Sequence, residues 1–226
     1  MKSCLVELVG ITKEYSAGIQ RLRVLKNIGM SMMDGEFIAI TGPSGSGKST
    51  FLNILGCLER PTDGYYAFDG REVLDADDKA LSHLRATSIG FVFQTFNLVP
   101  SLTLLENVAL PFLYARAKSR FARKQALDAV EQVGLSDRLN HRPAELSGGE
   151  MQRAAIARAI AINPRLILAD EPTGNLDSQT SRKILQIFKQ LNNRGTAIVM
   201  VTHDPQVAAV AQRRLHLRDG KISGNG

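Results

Sequence analysis

The chain is 226 residues long, 44% hydrophobic and 22% charged, with a formal net charge of +6, an ordinary globular composition with material for one large core or one domain carrying a lobe. No apolar run approaches the roughly 18 to 20 residues needed to cross a bilayer, and the opening MKSCLVELVGITKEY reaches Glu7 too early for a signal-peptide core, so a cytosolic protein with no span of its own is expected. Cys4 and Cys57 stand far apart and outside any CxxC spacing, which argues against a disulfide framework or a zinc site; the basic residues are scattered, and the densest patch, Arg116 to Lys124, reads as a solvated helix face, so no nucleic-acid partner is expected.

The segment before Gly35, VELVGITKEY included, reads as short strands of an antiparallel flank. FIAITGPSGSGKSTFLNIL then presents a buried strand, Phe37 to Thr41, a glycine-rich turn and a helix, the opening of an α/β fold with a mostly parallel sheet. Its turn, Gly42, Pro43, Ser44, Gly45, Ser46, Gly47, Lys48 and Ser49, fits the phosphate-loop pattern G-x-x-x-x-G-K-[ST] in the strand–loop–helix context that the mechanism requires. Gly45 and Gly47 permit torsions that turn several N–H groups toward one point, and the helix beginning near Lys48 aims its positive end there. Lys48 is expected to reach the β and γ phosphates, and the Ser49 hydroxyl, followed by Thr50, to ligate Mg²⁺.

A second strand, Ile89 to Phe93, ends in Gln94. From about residue 95 to 150 the pattern is that of a helical lobe inserted into the α/β core, with Leu127, Val130 and Val133 on one side and Lys124, Asp128 and Glu131 facing water. Phe96, Leu98, Val99, Leu102 and Leu105 are either that lobe's core or a groove for a partner helix. LSGGE, Leu146 to Glu150, has the form of a capping box, Ser147 covering the first amides and Glu150 reaching back. That leaves Gly148 and Gly149 unexplained, because glycine in a helix costs roughly 1 kcal/mol against alanine; bare backbone there suits the close approach of a ligand. A third strand, Leu166 to Ala169, runs into Asp170 and Glu171. Two adjacent carboxylates at the mouth of a buried strand are costly unless they hold something positive, which points to Mg²⁺ on Asp170 and leaves Glu171 to orient or deprotonate a water. A plain cap on the turn that follows is the competing reading. A fourth strand, Ala197 to Val201, leads to His203; parallel sheets bind ligands beyond such carboxyl ends.

Taken in order, the phosphate loop, Gln94, LSGGE, LILADE, GNLD and His203 resemble the ATP-binding cassette ATPases over essentially the whole chain. The resemblance implies a P-loop NTPase (RecA-like) core, an antiparallel flank and a helical subdomain in one nucleotide-binding domain, residues 1–226, that hydrolyses ATP with Mg²⁺. In that family the LSGGE element faces the γ-phosphate held by another subunit, so a second copy of the chain is implied in a head-to-tail sandwich, with Ser147, Gly148 and Gly149 as the anion-facing turn. The resemblance further casts Gln94 as a residue sensing Mg²⁺ and the attacking water. It makes His203 a switch contacting the γ-phosphate, Tyr15 the aromatic that stacks on adenine, and Asp177 of GNLD a contact to the partner subunit. Taken by themselves, Gln94 is an unremarkable strand-end residue, His203 a structural histidine and Asp177 a helix N-cap.

FVFQTFNLVPSLTLLENVALPF with GLSDRLNHRPAELSGGEMQRAAIARAI is similar to the lipoprotein-releasing and macrolide-export branch. This implies an integral membrane permease whose coupling helix docks near residues 94–112 and places the chain peripherally at the cytoplasmic face of the cell membrane. Such members are often fused to their permease and this chain is not, so a separate partner or a fragment of a fused transporter is expected; Met151 stands where glutamine is common. A kinase would use the phosphate loop but has no use for LSGGE. A cassette acting on ribosomes or DNA usually carries two cassettes or a long insertion, and a cell-division type cassette remains the nearest rival.

Overall fold

Each of the four apolar runs singled out above forms a strand buried on both faces. In the computed structural model, which describes residues 3–17, 20–114 and 118–225, they are β3 (Phe37–Thr41), β6 (Ile89–Val92), β7 (Leu166–Asp170) and β8 (Ala197–Val201). The second ends one residue earlier than expected and the third runs one further, taking in Asp170. With β9 (Arg213–Arg218) and β10 (Lys221–Asn225) they make a six-stranded sheet ordered β10-β9-β3-β8-β7-β6, parallel throughout except for the β9–β10 hairpin. The alternation of RRLHLR, with Leu215 and Leu217 buried between exposed charges, makes β9 an ordinary amphipathic strand that its charge disguises.

Successive residues of these strands point to opposite sides, so the sheet divides the interior into two cores. Ile38, Ile40, Leu166, Leu168, Val199 and Val201 face one, with α1 (Lys48–Leu55) and the antiparallel strands. Phe37, Ile167, Ala169, Ile198 and Met200 face the other, with α6 (Gly148–Ile160) and α7 (Ser178–Asn193).

The flank is a four-stranded sheet ordered β2-β1-β4-β5, made by β1 (Cys4–Ala17), β2 (Gln20–Met33), β4 (Asp63–Phe68) and β5 (Arg71–Glu72). Its first two strands are 14 residues each rather than short. Register shifts at several places, one beside Gly10 and one beside Asn27, break the alternation that a sequence reading needs, while pairing continues across them. Between α1 and β6 lies α2 (Asp78–Ser88), and past β8 lies the short α8 (Pro205–Ala208).

The helical region is a series of pieces: α3 (Leu104–Ala109), α4 (Pro111–Tyr114), α5 (Ser119–Gln132), then 3-10 turns at Ser136–Arg138 and Pro143–Glu145 before α6. Its inward stripe differs from the expected one. Ala122, Ala126, Ala129 and Val130 of α5 are buried, whereas Leu127 is half-buried. Small residues allow α5 to lie close on its neighbours, and a pattern read from large apolar residues passes over them. Lys124, Asp128 and Glu131 are exposed as expected. Of the basic patch, Arg116 and Ala117 lie outside the described residues. Asn107, wholly buried, staples the chain ahead of α3: Val99 N–H donates to its Oδ1 at 2.7 Å, and its Nδ2 donates to Val99 O, Leu102 O and Thr103 O. Among the described residues no helix is long and apolar enough to cross a membrane.

Helix α6 lies close on β6 at Gly90, where a Cβ would lie 2.6 Å from Ala159 O. Gly90→Ala must push α6 off β6, and urea denaturation should record a loss of about 1 to 3 kcal/mol; an unchanged midpoint would mean that this contact is soft.

Candidate functional site

The loop between β3 and α1 takes its shape from torsions that only glycine adopts cheaply. Gly47, the N-cap of α1, has φ 101°, and a Cβ there would lie 2.8 Å from Leu25 Cδ2 and 3.2 Å from Val24 Cγ1. The loop therefore wraps against β2 with its amides at the helix N-terminus. Lys48 Nζ donates to Gly42 O at 2.9 Å and to Pro43 O at 2.8 Å, folding back over its own loop. Ser46 is buried, and its Oγ has no hydrogen-bond partner among the described residues.

Facing the loop across the sheet edge, Ser49 Oγ donates to Asp170 Oδ2 at 3.1 Å. Burial raises the Asp170 carboxyl above its ordinary value; the Ser49 hydrogen bond opposes this, the neighbouring Glu171 charge adds to it, and Lys48 opposes it. An acid so placed gains from a cation. Glu171 itself stands at φ 44°, a left-handed torsion that costs a non-glycine residue on the order of 1 kcal/mol. It is held there by its N–H, which donates to Val201 O at 3.0 Å. Its Oε1 lies 2.8 Å from His203 Nδ1, the carboxylate largely covered and the imidazole exposed.

These groups line one cleft of about 440 Å³, shared by Ser44, Gly45, Gly47, Lys48, Ser49, Thr50, Gln94, Asp170, Glu171 and His203, with Val24 and Val201 as its apolar wall. The volume suits a nucleotide-sized ligand. The hard oxygens of Ser49 and Asp170, on a carboxylate short of positive charge, fit Mg²⁺, and the unpartnered Ser46 hydroxyl fits a loop built around an anion.

Other expected site residues lie apart from this cleft. Tyr15, on β1, donates its hydroxyl to Glu59 Oε2 at 2.8 Å, and Lys13 Nζ stands 5.0 Å from its ring centroid. Burial pushes its phenol up, against the pull of the Thr50 hydroxyl. Asp177 caps α7, accepting from Gln179 N at 2.9 Å and Thr180 N at 3.0 Å.

The turn Ser147–Glu150 forms the full capping box: Ser147 Oγ accepts from Glu150 N at 3.3 Å, and Glu150 Oε2 accepts from Ser147 N at 2.9 Å and Ser147 Oγ at 2.7 Å. Those bonds, with Arg138 Nε at 3.1 Å from Oε1, hold the Glu150 carboxyl down at about 2. The two glycines have different reasons. A Cβ on Gly149 would lie 2.5 Å from Thr180 Cγ2, so packing within the chain demands that glycine, while Gly148 meets only Leu176 Cδ2 at 3.6 Å. Only Gly148 is left without an internal explanation.

Several contacts were not legible in the sequence. Gln94 Nε2 donates to Asn175 Oδ1 at 3.2 Å, and Asn175 Nδ2 returns a bond to Gln94 O at 3.2 Å. Arg158 of α6 donates to the carbonyls of Phe96 and Asn97, consecutive residues at φ 62° and 50°; burial lowers its guanidinium pKa. A mid-helix arginine in IARAI gives no signal of this. Arg158 and Asn97 also border an apolar groove of about 430 Å³ with Leu58, Phe91, Phe93, Leu110, Pro111, Tyr114 and Ile162. Phe96, Leu98, Val99, Leu102 and Leu105, expected to form the core or such a groove, do not line it; Leu105 is buried.

Residues 25–174 match the family described as ABC transporter. An ABC transporter ATP-binding protein of Bacillus subtilis, YvrO, is 50% identical over 218 residues, covering 96% of this chain and 95% of its own. The macrolide export ATP-binding/permease protein MacB of Marinobacter nauticus is 47% identical over 220 residues, 96% of this chain but 34% of its own length. Among solved structures, a dimeric post-hydrolysis state of the ATP-binding cassette MJ0796, bound to ADP and Pi, aligns with TM-score 0.91 at 47% identity over 98% of each chain. MJ0796 is a protein of Methanocaldococcus jannaschii.

The Glu150 carboxyl sits below its unfolded value of about 4.3, so its contribution is complete above that pH and fades as pH falls toward about 2. Glu150→Gln should destabilise the chain by about 1 kcal/mol near neutrality, the usual size of a cap interaction. Urea midpoints of the two proteins should converge as pH is lowered through that window; a constant gap would show that the charge is not what the cap uses.

Proposed function

The chain belongs to the ABC transporter ATP-binding family, and on that premise we propose how its residues share the work of an ATPase that powers a membrane permease. The observation that carries the reading is the single cleft in which the phosphate loop, Gln94, Asp170, Glu171 and His203 meet. ATP lies with its phosphates on the loop from Gly42 to Thr50. Lys48 exchanges its bonds to Gly42 O and Pro43 O for the β and γ phosphates. Ser49 and Asp170, with Gln94 nearby, would hold Mg²⁺, and the ion would supply neutralisation of the phosphate charge. Glu171, as general base, takes a proton from the water whose oxygen bonds to the γ-phosphorus while the bond from that phosphorus to the bridging oxygen breaks and ADP leaves; His203, bonded to Glu171 through Nδ1, fixes the carboxylate's direction and reaches toward the γ-phosphate. Tyr15 receives adenine from the flank.

Ser147, Gly148 and Gly149 line no part of their own chain's cleft, and MJ0796, 47% identical, is described as a dimer. Both support a head-to-tail pair in which each signature turn completes the partner's site, with Glu150 fixing the turn and Asp177 at the seam. Residues 1–226 then act as one nucleotide-binding domain, with the helices of about 95–150 as its lobe.

The permease is an integral membrane protein. It docks through a coupling helix near residues 94–112, where Asn97, Leu110 and Pro111 border the apolar groove, and it holds the chain peripherally at the cytoplasmic face. Export or lipoprotein release is the branch favoured, because relatives named macrolide export ATP-binding/permease protein match 96% of this chain with about a third of their own length.

Glu171→Gln should lower phosphate release by roughly 10² to 10⁴ while ATP still binds, leaving an ATP-dependent dimer visible by light scattering. Turnover equal to the parent's would remove Glu171 from the role of base.

A further inference from the structure

The signature turn rests directly on the segment that follows Glu171 and on the first turn of α7. Gly148 faces Leu176, Gly149 faces Thr180, and one turn further along α6 the wholly buried Gln152 donates from Nε2 to Pro172 O at 2.7 Å. Pro172 is the residue after Glu171. Gln152 Oε1 is buried with no hydrogen-bond partner among the described residues. A side chain kept only to fill this space would be better as leucine or methionine, which bury no orphan acceptor. What the amide supplies is its one bond, made to the backbone just past a left-handed Glu171. The same segment reaches Gln94 through Asn175, so both cleft residues that handle the water hang from it.

We propose that Gln152 is a positioning residue that links the signature turn to Glu171, so that a nucleotide engaged by the turn at the partner's site alters the general base of this subunit's own site. It rests on the dimer reading above. A helix moves as a rigid body, and a buried hydrogen bond in low dielectric is stiff. A small displacement of the turn toward the partner's phosphates therefore carries Pro172 O with it and re-aims Glu171, whose torsion lies outside the broad wells open to non-glycine residues. The coupling is reciprocal between the two ATP sites. Gly149 and Thr180 form the fulcrum, since nothing larger than a hydrogen fits between them.

The test is phosphate release by the purified chain across a range of MgATP concentrations, for the parent and for Gln152→Met, which keeps the side chain's length and removes the donor. The parent should be cooperative, with a Hill coefficient well above 1. Gln152→Met should retain the parent's melting temperature to within a few degrees and its ATP-driven dimerisation, with the Hill coefficient lowered below the parent's and kcat reduced several-fold. Gln152→Leu is read by the same criterion should methionine disturb the fold. A parent without cooperativity, or a Gln152→Met with the parent's Hill coefficient and kcat, overturns the proposal. ATP-driven dimerisation of Glu171→Gln separates the two readings: without a dimer the sandwich reading fails and this inference with it, whereas a dimer alongside a Gln152→Met indistinguishable from the parent sinks the inference alone.

Discussion

Four parallel strands buried on both faces confine polar chemistry to their ends. No side chain within the apolar runs of β3, β7 or β8 can be charged without being driven into one of the two cores, so the first polar residues at the end of each run are the first that can do work. The strand order places β3, β8 and β7 side by side, and their carboxyl ends deliver the phosphate loop, His203 and the Asp170–Glu171 pair to one rim. The cleft follows from this arrangement, with β6 adding Gln94 at its margin.

At that rim the balance of charge is deliberate in physical terms. The Asp170 carboxyl is partly desolvated and crowded by Glu171, and the offsets among the described residues are a hydroxyl and Lys48. Lys48 is itself held by two loop carbonyls, a neutral arrangement that phosphate oxygens readily replace because charge-assisted bonds are the stronger kind. Glu171, by contrast, is restrained from three sides: by its backbone bond to β8, by its left-handed torsion and by His203. The acid that suits a metal is the one whose charge is left under-compensated, and the acid that suits a water is the one whose direction is fixed.

Helix α6 is the element that the other functional parts share. Its first turn is the capped signature, Gln152 reaches Pro172, Arg158 holds the strained turn after Gln94, and Ala159 presses on Gly90 of β6. One rigid rod thus touches the segment that carries Glu171, the turn that follows Gln94 and the border of the apolar groove.

Much of this was legible in the sequence because it is local. A phosphate loop is a run of contiguous residues whose torsions and helix start are set by immediate neighbours, and the capping box of Ser147 and Glu150 closes within one turn; both appear as read. Four of the parallel strands were visible as apolar runs ending in polar residues. The antiparallel flank was visible too, but not the length of its strands, because bulges interrupt their alternation; nor was β9, whose charges face outward, nor the alanine stripe of α5. The meaning of Gly149 was half hidden: the sequence showed that no side chain is wanted there, but not that Thr180 is the reason.

By itself the sequence singled out the residues whose types suit phosphate, metal and proton chemistry, because that information resides in side-chain type and short spacing. The tertiary structure alone decided which of them meet. His203 finds Glu171 across 32 residues, Asn175 finds Gln94 across 81 and Arg158 finds Phe96 across 62. Such pairings are set by the order in which strands enter the sheet and by the face on which a helix crosses it, and neither is written in any local stretch of chain.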